Sequence, residues 1–345
     1  METRILPADA TGIALAAKLV REGALVAFPT ETVYGLGGRA DRLESIRAVF
    51  LAKGRPSTDP LILHLPEPDL VKAVAEGWVA DPLPKSAIIM AKAFWPGPLT
   101  LILRRGPKVH LEMTAGRDTV AVRCPAHPAA KRLLQAIATP LAAPSANRFG
   151  RISPTDAEAV REELGGSIPL ILDGGPSSIG LESTVVNLVS PNPEILRPGA
   201  ITATQMARVL GVTPEEPFSL SRQGDSQVAP GQLASHYAPR TPVFLSLQPI
   251  QNPLPGSFYL LFQKPSEDFS GSSVFLDAGG NQEAVARELY RALRKADASG
   301  FEKILVDPVP KGPWTTALQD RLTRASSGTA SWDGQNWKLT PRAAA

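Results

Sequence analysis

The 345-residue chain contains a single cysteine, Cys124, and this scarcity limits the chemistry open to it. One cysteine can form neither a disulfide within the chain nor a thiolate cage for a metal, so we expect Cys124 to be a small buried apolar residue. No apolar run approaches the roughly 18 residues that a membrane-spanning helix needs. Residues 1–7 lack the basic region and apolar stretch of a signal peptide. These absences together favour a cytoplasmic protein.

Several common catalytic motifs are also missing. The chain has no G-x-x-x-x-G-K-[ST] phosphate loop, no C-x-x-C or H-E-x-x-H zinc spacing and no G-x-S-x-G nucleophile elbow. Residues 35–40 match the dinucleotide pattern G-x-G-x-x-A, but they begin seven positions after Phe28, the end of the nearest predicted strand. That fingerprint needs a strand, a tight turn and a helix in direct succession. A glycine-hinged loop that brings the backbone close to another group is the favoured interpretation.

Charge and composition are those of an ordinary globular protein. Apolar residues make up 43% of the chain, and the net charge is +3 with a pI near 9.0. This mild excess of cations permits phosphorylated ligands but does not require nucleic acid. The length exceeds that of one ordinary core and predicts about two domains.

The first two thirds of the chain alternate helical and strand patterns. Apolar residues at helical spacing predict helices at 11–22, 41–53 and 202–210, and a further helix that opens at 153–156 with Pro154 in its first turn. Short apolar runs predict strands at 24–28, 60–65, 99–103, 119–123, 141–143, 170–172, 184–189 and 194–196. Asp41, three residues before Glu44, resembles a capping box for the second helix. Gly211 is expected to end the last one.

The periodic pattern stops at 212–242, which is rich in Pro, Ser, Gln and Gly and is predicted to be a linker. A smaller unit follows at 243–345. Its strand-like runs lie at 243–247, 259–262, 274–276 and 304–306, its helical patterns at 283–295 and 314–325, and its polar end, 331–345, is expected to be loosely ordered. The order of the elements predicts an α/β layer fold, with a large domain at 1–211 and a small one at 243–345.

Polar residues stand beside several predicted strands, where core patterning would not place them. They lie at 29–37, 144–147, 181–184 and 197–199. Ligands in open α/β sheets bind outside the carboxyl ends of strands, and residues 153–155 open a helix whose N–H groups could form an anion site. The segments therefore predict one concave site for a small polar ligand, although each alone also fits an ordinary polar turn.

Cations at the ends of elements point the same way. Lys53 and Arg55 flank Gly54 at a predicted helix end, where cations interact with the dipole, but this spacing also suits a polyphosphate. Arg123 ends an apolar strand and needs a partner, either the carboxylate of a ligand or an internal salt bridge. His64 ends another strand, where a lone histidine fits a core residue as well as a ligand contact.

Together these segments closely resemble the threonylcarbamoyl-AMP synthase family, the YrdC-like proteins, over residues 23–211. The motifs are Phe-Pro-Thr-Glu-Thr-Val-Tyr-Gly-Leu-Gly (28–37), Lys-x-Arg-Pro (53–56), Trp-Pro-Gly-Pro-Leu-Thr (95–100), Thr-Ala-Gly (114–116), Val-Ala-Val-Arg (120–123), Ala-Pro-Ser-Ala-Asn (143–147), Glu-Ser-Thr (182–184) and Arg-Pro-Gly (197–199). Residues 230–231 (Pro-Gly) and 236–239 (His-Tyr-Ala-Pro) resemble the longer, two-domain form, and residues 320–325 match it loosely. The resemblance implies a catalytic domain with a twisted mixed sheet and helices at 1–211, and a smaller Rossmann-like α/β domain at 243–345.

The resemblance further implies an L-threonylcarbamoyladenylate synthase, a nucleotidyltransferase. In that reaction the amine of L-threonine takes up bicarbonate or carbon dioxide, the resulting N-carboxylate attacks the α-phosphate of ATP, and pyrophosphate leaves. A downstream tRNA threonylcarbamoyl transferase takes the product, so direct tRNA binding is not required. Mg²⁺ is expected to arrive with ATP, and no side chain is singled out as a metal ligand.

Matching positions assign roles to residues of this chain. The threonine-contacting positions are Thr32, His64, Arg123, Ala143 and Ser183. The nucleotide-contacting positions are Arg55, Asp59, Thr119, Ser145, Ser153, Arg197 and Tyr237, and the catalytic set around the phosphates is Lys53, Arg55, Ser145 and Asn147. The linker at 212–242, with Tyr237, is implied to be a lid over the labile carbamate.

Two positions depart from the family pattern. The family often has asparagine where Asp59 stands, and a carboxylate there repels phosphate unless it faces the ribose or a metal. The family usually carries basic residues at 232–235, where this chain has Gln-Leu-Ala-Ser. The sequence therefore does not settle the role of Asp59, and it does not show whether the lid contributes to ATP binding through its charge.

Two other interpretations were weighed. An RNA-binding module that uses the basic groove belongs to a different class, and the mild net charge and the lack of aromatic stacking motifs argue against it. A regulatory or partner-docking role for the C-terminal unit is compatible with the sequence.

Overall fold

The computed structural model describes residues 2–216, 229, 231, 236–262, 264, 268–276 and 281–342. The chain divides into two compact units: an N-terminal unit of Met1–Phe149 and Ser153–Gln232, and a C-terminal unit of Gly150–Ile152 and Leu233–Ala345. The predicted linker, 212–242, is shared between them. The predictions for Pro230 and for 232–235 lie outside the described residues.

The N-terminal unit is built on a mixed sheet that has ten strands within the described part of the chain. The strands are β1 (Arg4–Pro7), β2 (Val26–Phe28), β3 (Gly35–Arg39), β4 (Ile62–His64), β5 (Leu99–Arg104), β6 (Thr119–Arg123), β7 (Leu141–Ala142), β8 (Leu170–Asp173), β9 (Thr184–Asn187) and β10 (Glu194–Arg197). Their order across the sheet is β1-β8-β2-β3-β7-β4-β6-β5-β9-β10, with parallel and antiparallel neighbours. The predicted mixed α/β fold is confirmed.

Helices cover both faces of this sheet. They are α1 (Ala10–Arg21), α2 (Leu43–Lys53), α3 (Leu70–Ala75), α4 (Lys85–Phe94), α5 (Pro128–Ile137), α6 (Ala157–Leu164) and α7 (Ala203–Leu210), with a 3₁₀ helix at Leu111–Thr114. Buried residues of α1 and α5 form one apolar cluster with β2 and β8, and the largest cluster joins α2, α4 and α7 to β4, β5 and β6. Among the described residues, none of the helices is long and apolar enough to cross a membrane.

The predicted starts of two helices are wrong. Helix α2 begins after Arg42, which makes no side-chain cap bond, and Asp41 instead accepts a hydrogen bond from Arg39 Nε at 2.8 Å. Helix α6 begins after Asp156, whose carboxylate accepts the Ala159 N–H at 2.8 Å, so Ser153 and Pro154 precede the helix. A carboxylate at this N-terminus takes the place of an incoming anion, and the anion site predicted there is not formed.

The glycine-rich segment 35–40, predicted to be a hinged loop, instead provides β3 near the middle of the sheet. It pairs antiparallel with β2, with Phe28 opposite Gly35. A Cβ atom added at Gly37 or Gly35 would lie 2.9 or 3.1 Å from the Phe28 ring. Glycine is needed here because the aromatic ring occupies the space of the missing side chains, and this is why the segment lacks the usual composition of a strand.

The C-terminal unit has a smaller sheet, with six strands among the residues described. The strands are β11 (Val243–Ser246), β12 (Ser257–Leu261), β13 (Ser273–Phe275), β14 (Lys303–Val306), β15 (Gly328–Trp332) and β16 (Trp337–Pro341), and the helices are α8 (Gln282–Asp297) and α9 (Thr315–Ala325). The order is β13-β12-β14-β11-β15-β16, all parallel except β16. The predicted second α/β domain is confirmed.

The end of the chain is more regular than its polar composition predicted. Strands β15 and β16 form a hairpin in which Trp332 lies opposite Trp337, with ring centroids 5.7 Å apart. Strand β15 also pairs with β11, and Trp337 and Leu339 pack against an apolar cluster that includes Ala330, so the expectation of loose order at 331–342 is wrong.

Candidate active site on the N-terminal sheet

One face of the N-terminal sheet, here called the site face, gathers several of the predicted residues. Side chains alternate between the two faces of a strand, and directly opposed residues share a face. Arg123 lies opposite His64 on β4 and opposite Thr100 on β5. The same argument places the following residues on the site face: Ile62, His64, Thr100, Ile102, Thr119, Ala121, Arg123, Val185 and Arg197.

An apolar patch lies in the middle of the site face. Ile62, Ile102, Ala121 and Val185 form a buried cluster there with Ala229, a residue of the predicted linker that is itself fully buried. The patch separates the two ends of β6. Thr119 begins the strand and Arg123 ends it, so the predicted nucleotide contact and the predicted threonine contact stand roughly 13 Å apart.

Arg123 has an internal partner. Its Nη2 atom donates to Glu31 Oε1 at 2.6 Å, and Glu31 Oε2 accepts the Ala126 N–H at 3.1 Å. Burial acts to raise the pKa of the Glu31 carboxyl, but Arg123 and the backbone donors outweigh it and the pKa is lowered. Of the two partners considered for Arg123, the structure contains the internal salt bridge. Glu31 was not among the predicted site residues, although it lies in the polar segment 29–37.

His64 is a neutral side chain with a defined tautomer. Its Nδ1 lies 3.1 Å from the Ile62 carbonyl oxygen and therefore carries the proton, which leaves Nε2 as an acceptor. Burial, with a smaller effect from Arg123, lowers the pKa of His64 to about 3. His64 can thus accept a hydrogen bond from a ligand hydroxyl or amine over the whole physiological pH range.

Two further threonine-contacting candidates are fixed by local hydrogen bonds. Thr32 is fully buried, and its hydroxyl lies 2.8 Å from that of Thr30, which donates to the Val33 carbonyl at 2.6 Å. Because the Thr30 proton is used in that way, Thr32 is the donor between the two hydroxyls. Ala143 is placed through its backbone, since its N–H donates to Ile62 O at 2.9 Å.

Three of the four predicted catalytic residues form one cluster. Lys53 Nζ donates to the Ser145 carbonyl at 2.6 Å and to the Asn147 carbonyl, and the Ser145 hydroxyl contacts Asn147 Oδ1. Burial, together with the nearby Arg55, lowers the pKa of Lys53 well below its usual range. The ammonium is therefore held by carbonyl oxygens in a place where its charge is poorly solvated, and an anion would stabilise it.

The fourth catalytic candidate, Arg55, is buried beside Asp59. Arg55 Nη2 lies 2.8 Å from Asp59 Oδ1 and donates to the Pro60 carbonyl at 2.7 Å, and Nε donates to the Asp59 carbonyl at 2.9 Å. Burial raises the pKa of Asp59 against the opposing effect of Arg55, Lys53 and Arg197. Asp59 is thus a counter-ion of Arg55, which accounts for a carboxylate in a region predicted to hold phosphates.

Arg197 and Ser183 connect the two predicted sets of contacts. Arg197 Nη2 donates to the Ser183 carbonyl at 2.9 Å and to its hydroxyl at 3.0 Å. The Ser183 hydroxyl lies 2.7 Å from that of Thr100, which stands opposite Arg123. A continuous row of polar side chains therefore runs from a nucleotide candidate to a threonine candidate. Thr100 carries no predicted role, although it is a hydroxyl in an otherwise apolar strand.

The remaining nucleotide candidates differ in how the structure places them. Ser153 is fully buried, and its hydroxyl makes no hydrogen bond with any residue in the described ranges. A buried orphan hydroxyl needs a partner, and a ligand atom can provide one. Tyr237 is also buried but belongs to the C-terminal unit.

The described residues include no group of three or more His, Cys, Asp and Glu side chains that could hold a metal ion. Cys124 is buried as predicted, and burial raises its thiol pKa to about 12, so the side chain is an unreactive thiol. A separate cleft of about 620 Å³ lies at the end of α2, lined among others by Leu25, Leu51 and Lys53. It is lined by neither Arg55 nor Arg123, and so it is not the place where the predicted residues meet.

Fold and site together define a two-unit α/β protein whose large mixed sheet carries buried cations and hydroxyls on one face. The family model described as "Telomere recombination" (Sua5_yciO_yrdC) matches residues 18–199, and the one described as "Threonylcarbamoyl-AMP synthase, C-terminal domain" matches residues 201–327. The chain is therefore in the two-domain class of these proteins.

Similar proteins narrow this class to one family. Threonylcarbamoyl-AMP synthase of Pyrococcus abyssi (strain GE5 / Orsay) is 39% identical over 325 residues, which covers 91% of this chain and 94% of that protein. Threonylcarbamoyl-AMP synthase of Bacillus subtilis (strain 168) is 38% identical, with 92% and 93% covered. The crystal structure of P. abyssi Sua5 complexed with L-threonine is similar with a TM-score of 0.83 at 35% identity, covering 94% and 97%. This chain belongs to the threonylcarbamoyl-AMP synthase family and is an enzyme, and none of these relatives supports an RNA-binding module.

Proposed function

We propose that the chain is an L-threonylcarbamoyladenylate synthase, which converts L-threonine, bicarbonate or carbon dioxide, and ATP into threonylcarbamoyl-AMP and pyrophosphate, with water released when bicarbonate is the carbon source. The observation that carries the proposal is the polar row on the site face, which begins at Arg123 and Thr100, continues through Ser183 to Arg197, and is followed by the Arg55 and Asp59 pair. The row would bind the threonine carboxylate at its Arg123 end and the phosphates of ATP at its Arg55 end.

Threonine would bind at the Arg123 end of the row. Glu31 fixes the Arg123 guanidinium through Nη2, and Nη1 is proposed as the donor to the threonine carboxylate. His64 Nε2, an acceptor, suits the threonine hydroxyl or amine. Such a partner would make the site selective for threonine, since a site that hydrogen-bonds a hydroxyl rejects an analogue without it by about 10⁴-fold. Thr32, Ala143 and Ser183 would complete this half.

ATP would place its phosphates beside Lys53, Arg55, Ser145 and Asn147, with Arg197, Ser153 and Asp59 nearby. Attack of an N-carboxylate on a polyphosphate brings anions together, so neutralisation by Lys53 and Arg55 lowers the barrier without a protein nucleophile. Mg²⁺ is proposed to enter with ATP, bound to its phosphates. In phosphate surroundings the buried Lys53 ammonium gains the counter-charge that its carbonyl partners do not supply.

The intermediate carbamate is labile in water, so the site has to exclude solvent. Ala229, buried against the apolar patch, supports a role for the linker 212–242 as a lid over the site face. Thr119 and Tyr237 are proposed as further nucleotide contacts. The product would be consumed by a tRNA threonylcarbamoyl transferase, and a cytoplasmic location is proposed with it.

Mass spectrometry of the product formed with isotopically labelled bicarbonate tests the proposal. Purified protein with Mg·ATP, threonine and labelled bicarbonate should release pyrophosphate and give threonylcarbamoyl-AMP that carries the label. Omission of threonine should abolish pyrophosphate release. A protein that releases none with all cosubstrates present, or that binds RNA tightly and in a salt-sensitive way without turning over ATP, would contradict the assignment.

A further inference from the structure

Three residues of the N-terminal chain segment belong to the C-terminal unit. Gly150–Ile152 groups with that unit, whereas the residues before and after it group with the N-terminal unit. The segment stands between Asn147, which contacts Lys53, and Ser153, which carries the buried orphan hydroxyl. The loop 145–153, here called the nucleotide loop, thus has its middle in a different unit from its ends.

Three kinds of contact hold Gly150–Ile152 within the C-terminal unit. The Gly150 carbonyl accepts the Ala238 N–H at 2.9 Å, where Arg151 and Ala238 form a parallel bridge. Arg151 Nη2 lies 3.0 Å from Asp297 Oδ2, and the Ile152 carbonyl accepts a hydrogen bond from Arg294 Nη2 at 2.5 Å. The segment is therefore held by a strand bridge, an ion pair and a charge-assisted hydrogen bond.

The position of Asp297 at the C-terminal end of α8 is electrostatically unfavourable. Asp297 is the last residue of α8, where a carboxylate faces the negative end of the helix dipole. Its Oδ1 accepts the Thr241 N–H at 2.8 Å and its Oδ2 meets Arg151, and these two partners offset the unfavourable placement. The Asp297 and Arg151 side chains are 13% and 23% exposed, so their pairing is shielded from water more than a surface pair is.

The same face of α8 also contacts Tyr237, which lies in the C-terminal part of the linker. Tyr290, Arg294 and Asp297 are four and three residues apart and so project from one side of the helix. Tyr290 stacks on Tyr237, with ring centroids 5.9 Å apart, and Tyr237 adopts a left-handed backbone conformation with φ 63°. One helix face therefore fixes both the start of the C-terminal unit and the middle of the nucleotide loop.

We propose that α8 of the C-terminal unit positions the nucleotide loop, with Arg151, Arg294 and Asp297 as positioning residues for ATP. This inference rests on the proposed function, which makes Ser145, Asn147 and Ser153 nucleotide contacts. Loss of the anchor lets the loop sample other conformations, and the apparent affinity for ATP falls by the fraction of time that the correct one is occupied. Threonine, whose proposed contacts lie outside this loop, keeps its affinity.

The test uses the full chain and compares Asp297→Ala, Arg151→Ala and Arg151→Lys with Glu288→Ala. Glu288 lies on the same helix in an exposed pair with Arg291, and it controls for loss of a carboxylate from α8. For Asp297→Ala and Arg151→Ala we expect a KM for ATP about tenfold higher, a KM for threonine unchanged within about twofold, and faster amide hydrogen exchange at 145–153. Arg151→Lys should restore most of the ATP affinity, and Glu288→Ala should behave as wild type.

The outcomes separate two failures. A wild-type chain without activity would refute the proposed function. An active wild type with Asp297→Ala indistinguishable from Glu288→Ala in KM for ATP and in exchange at 145–153 would overturn the inference. Equal increases of KM for ATP and for threonine, together with a lower melting temperature, would overturn it too, because they indicate general loosening of the fold.

Discussion

Buried ions are arranged differently in the two units. In the C-terminal unit, Asp320 contacts Arg321 Nη1 at 2.5 Å and Arg324 Nε at 2.9 Å, and Asp307 accepts two backbone N–H groups at 2.8 and 3.0 Å. In the N-terminal unit, Lys53 meets carbonyl oxygens and its pKa is lowered well below the usual range. Lys53 is therefore the buried cation that most directly indicates an anion-binding site, whereas Arg55 and Arg123 of the same unit are paired with carboxylates.

Asp307 also shows why a Rossmann-like fold in the C-terminal unit does not by itself predict that this unit binds phosphate. It follows β14, at the carboxyl end of the parallel sheet, where such folds bind phosphates. Its carboxylate already accepts the N–H groups of Ile250 and Phe262 that an anion would use. At the end of β14 the chain's own carboxylate therefore takes the place that an anion would occupy.

The largest expected effect on stability comes from breaking the compensated cluster. Asp320→Ala removes a carboxylate shared by two buried arginines, and we expect a loss of about 3–5 kcal/mol in the free energy of unfolding. Denaturant unfolding measures it, with Glu302→Ala, at an acid that is 78% exposed, as the control. The value of kcat at low temperature should stay near wild type. An unchanged unfolding free energy would remove the contrast between the units.

Lys53→Met should impair catalysis without destabilising the protein. We expect pyrophosphate release to fall by about 10²–10³-fold, since the substitution removes a charge that faces the phosphates. The ligand-free protein should become no less stable, because the lowered pKa means that the folded state disfavours the charged ammonium, a penalty that is present at neutral pH and vanishes as pH rises through the ordinary lysine range. Calorimetry of the variant beside Lys72→Met, whose side chain is 48% exposed in the parent, checks this. A strongly destabilised Lys53→Met protein would make Lys53 a structural residue.

Asp59→Asn sharpens the comparison by removing the carboxylate that compensates Arg55. We expect a KM for ATP lower by about two- to fivefold at neutral pH, because the carboxylate 2.8 Å from Arg55 Nη2 is gone. Since burial raises the pKa of Asp59, its carboxylate destabilises the folded state above its ordinary pKa and less so as pH falls. The advantage of the variant should therefore shrink on acidification. A KM for ATP that rises in Asp59→Asn would mean that the carboxylate contributes to binding directly.

The smallest effect concerns His64. Its pKa of about 3 in the folded state lies below the 6.5 of an ordinary histidine, so the unfolded chain takes up a proton first and stability falls as pH drops from about 6.5 towards 3. Urea unfolding at pH 7 and pH 4.5 should show a smaller difference for His64→Gln than for wild type. Equal pH dependence in the two proteins would show that His64 is not buried in neutral form.

Lys53, Ser145 and Asn147, which the family resemblance groups together, are in contact in the structure, and their role at the phosphates stays a prediction. The predicted strand 119–123 already put Thr119 and Arg123 at opposite ends, but the sequence did not show that Ile62, Ile102 and Val185 of other strands form the apolar patch between them. Glu31 was overlooked because nothing local distinguishes a buried acid from one in a polar turn. Helix α5 went unpredicted although Leu133, Leu134 and Ile137 recur at helical spacing, so here the signal was available.

Strand β3 and the start of α6 show the other limit. The glycines at 35–40 predict a hinge, but the ring of Phe28 occupies the space of a side chain at Gly35 and Gly37, and Phe28 is adjacent only after the strands pair. Asp156 and Ser153 are both good capping residues, and the structure has Asp156 as the cap, with its carboxylate accepting the Ala159 N–H.

The excursion at Gly150–Ile152 has a practical consequence for dividing this protein. A cut after Gly211 removes Ala238, Arg294 and Asp297 while leaving their three-residue partner behind. The shortened chain would then lack the Ala238 N–H, the Asp297 carboxylate and the Arg294 guanidinium that hold the middle of this loop in the full-length protein. Low activity in such a fragment could therefore follow from the loss of the anchor or from the loss of the lid. A second fragment, in which a short tight turn replaces Gly150–Ile152, would distinguish the two.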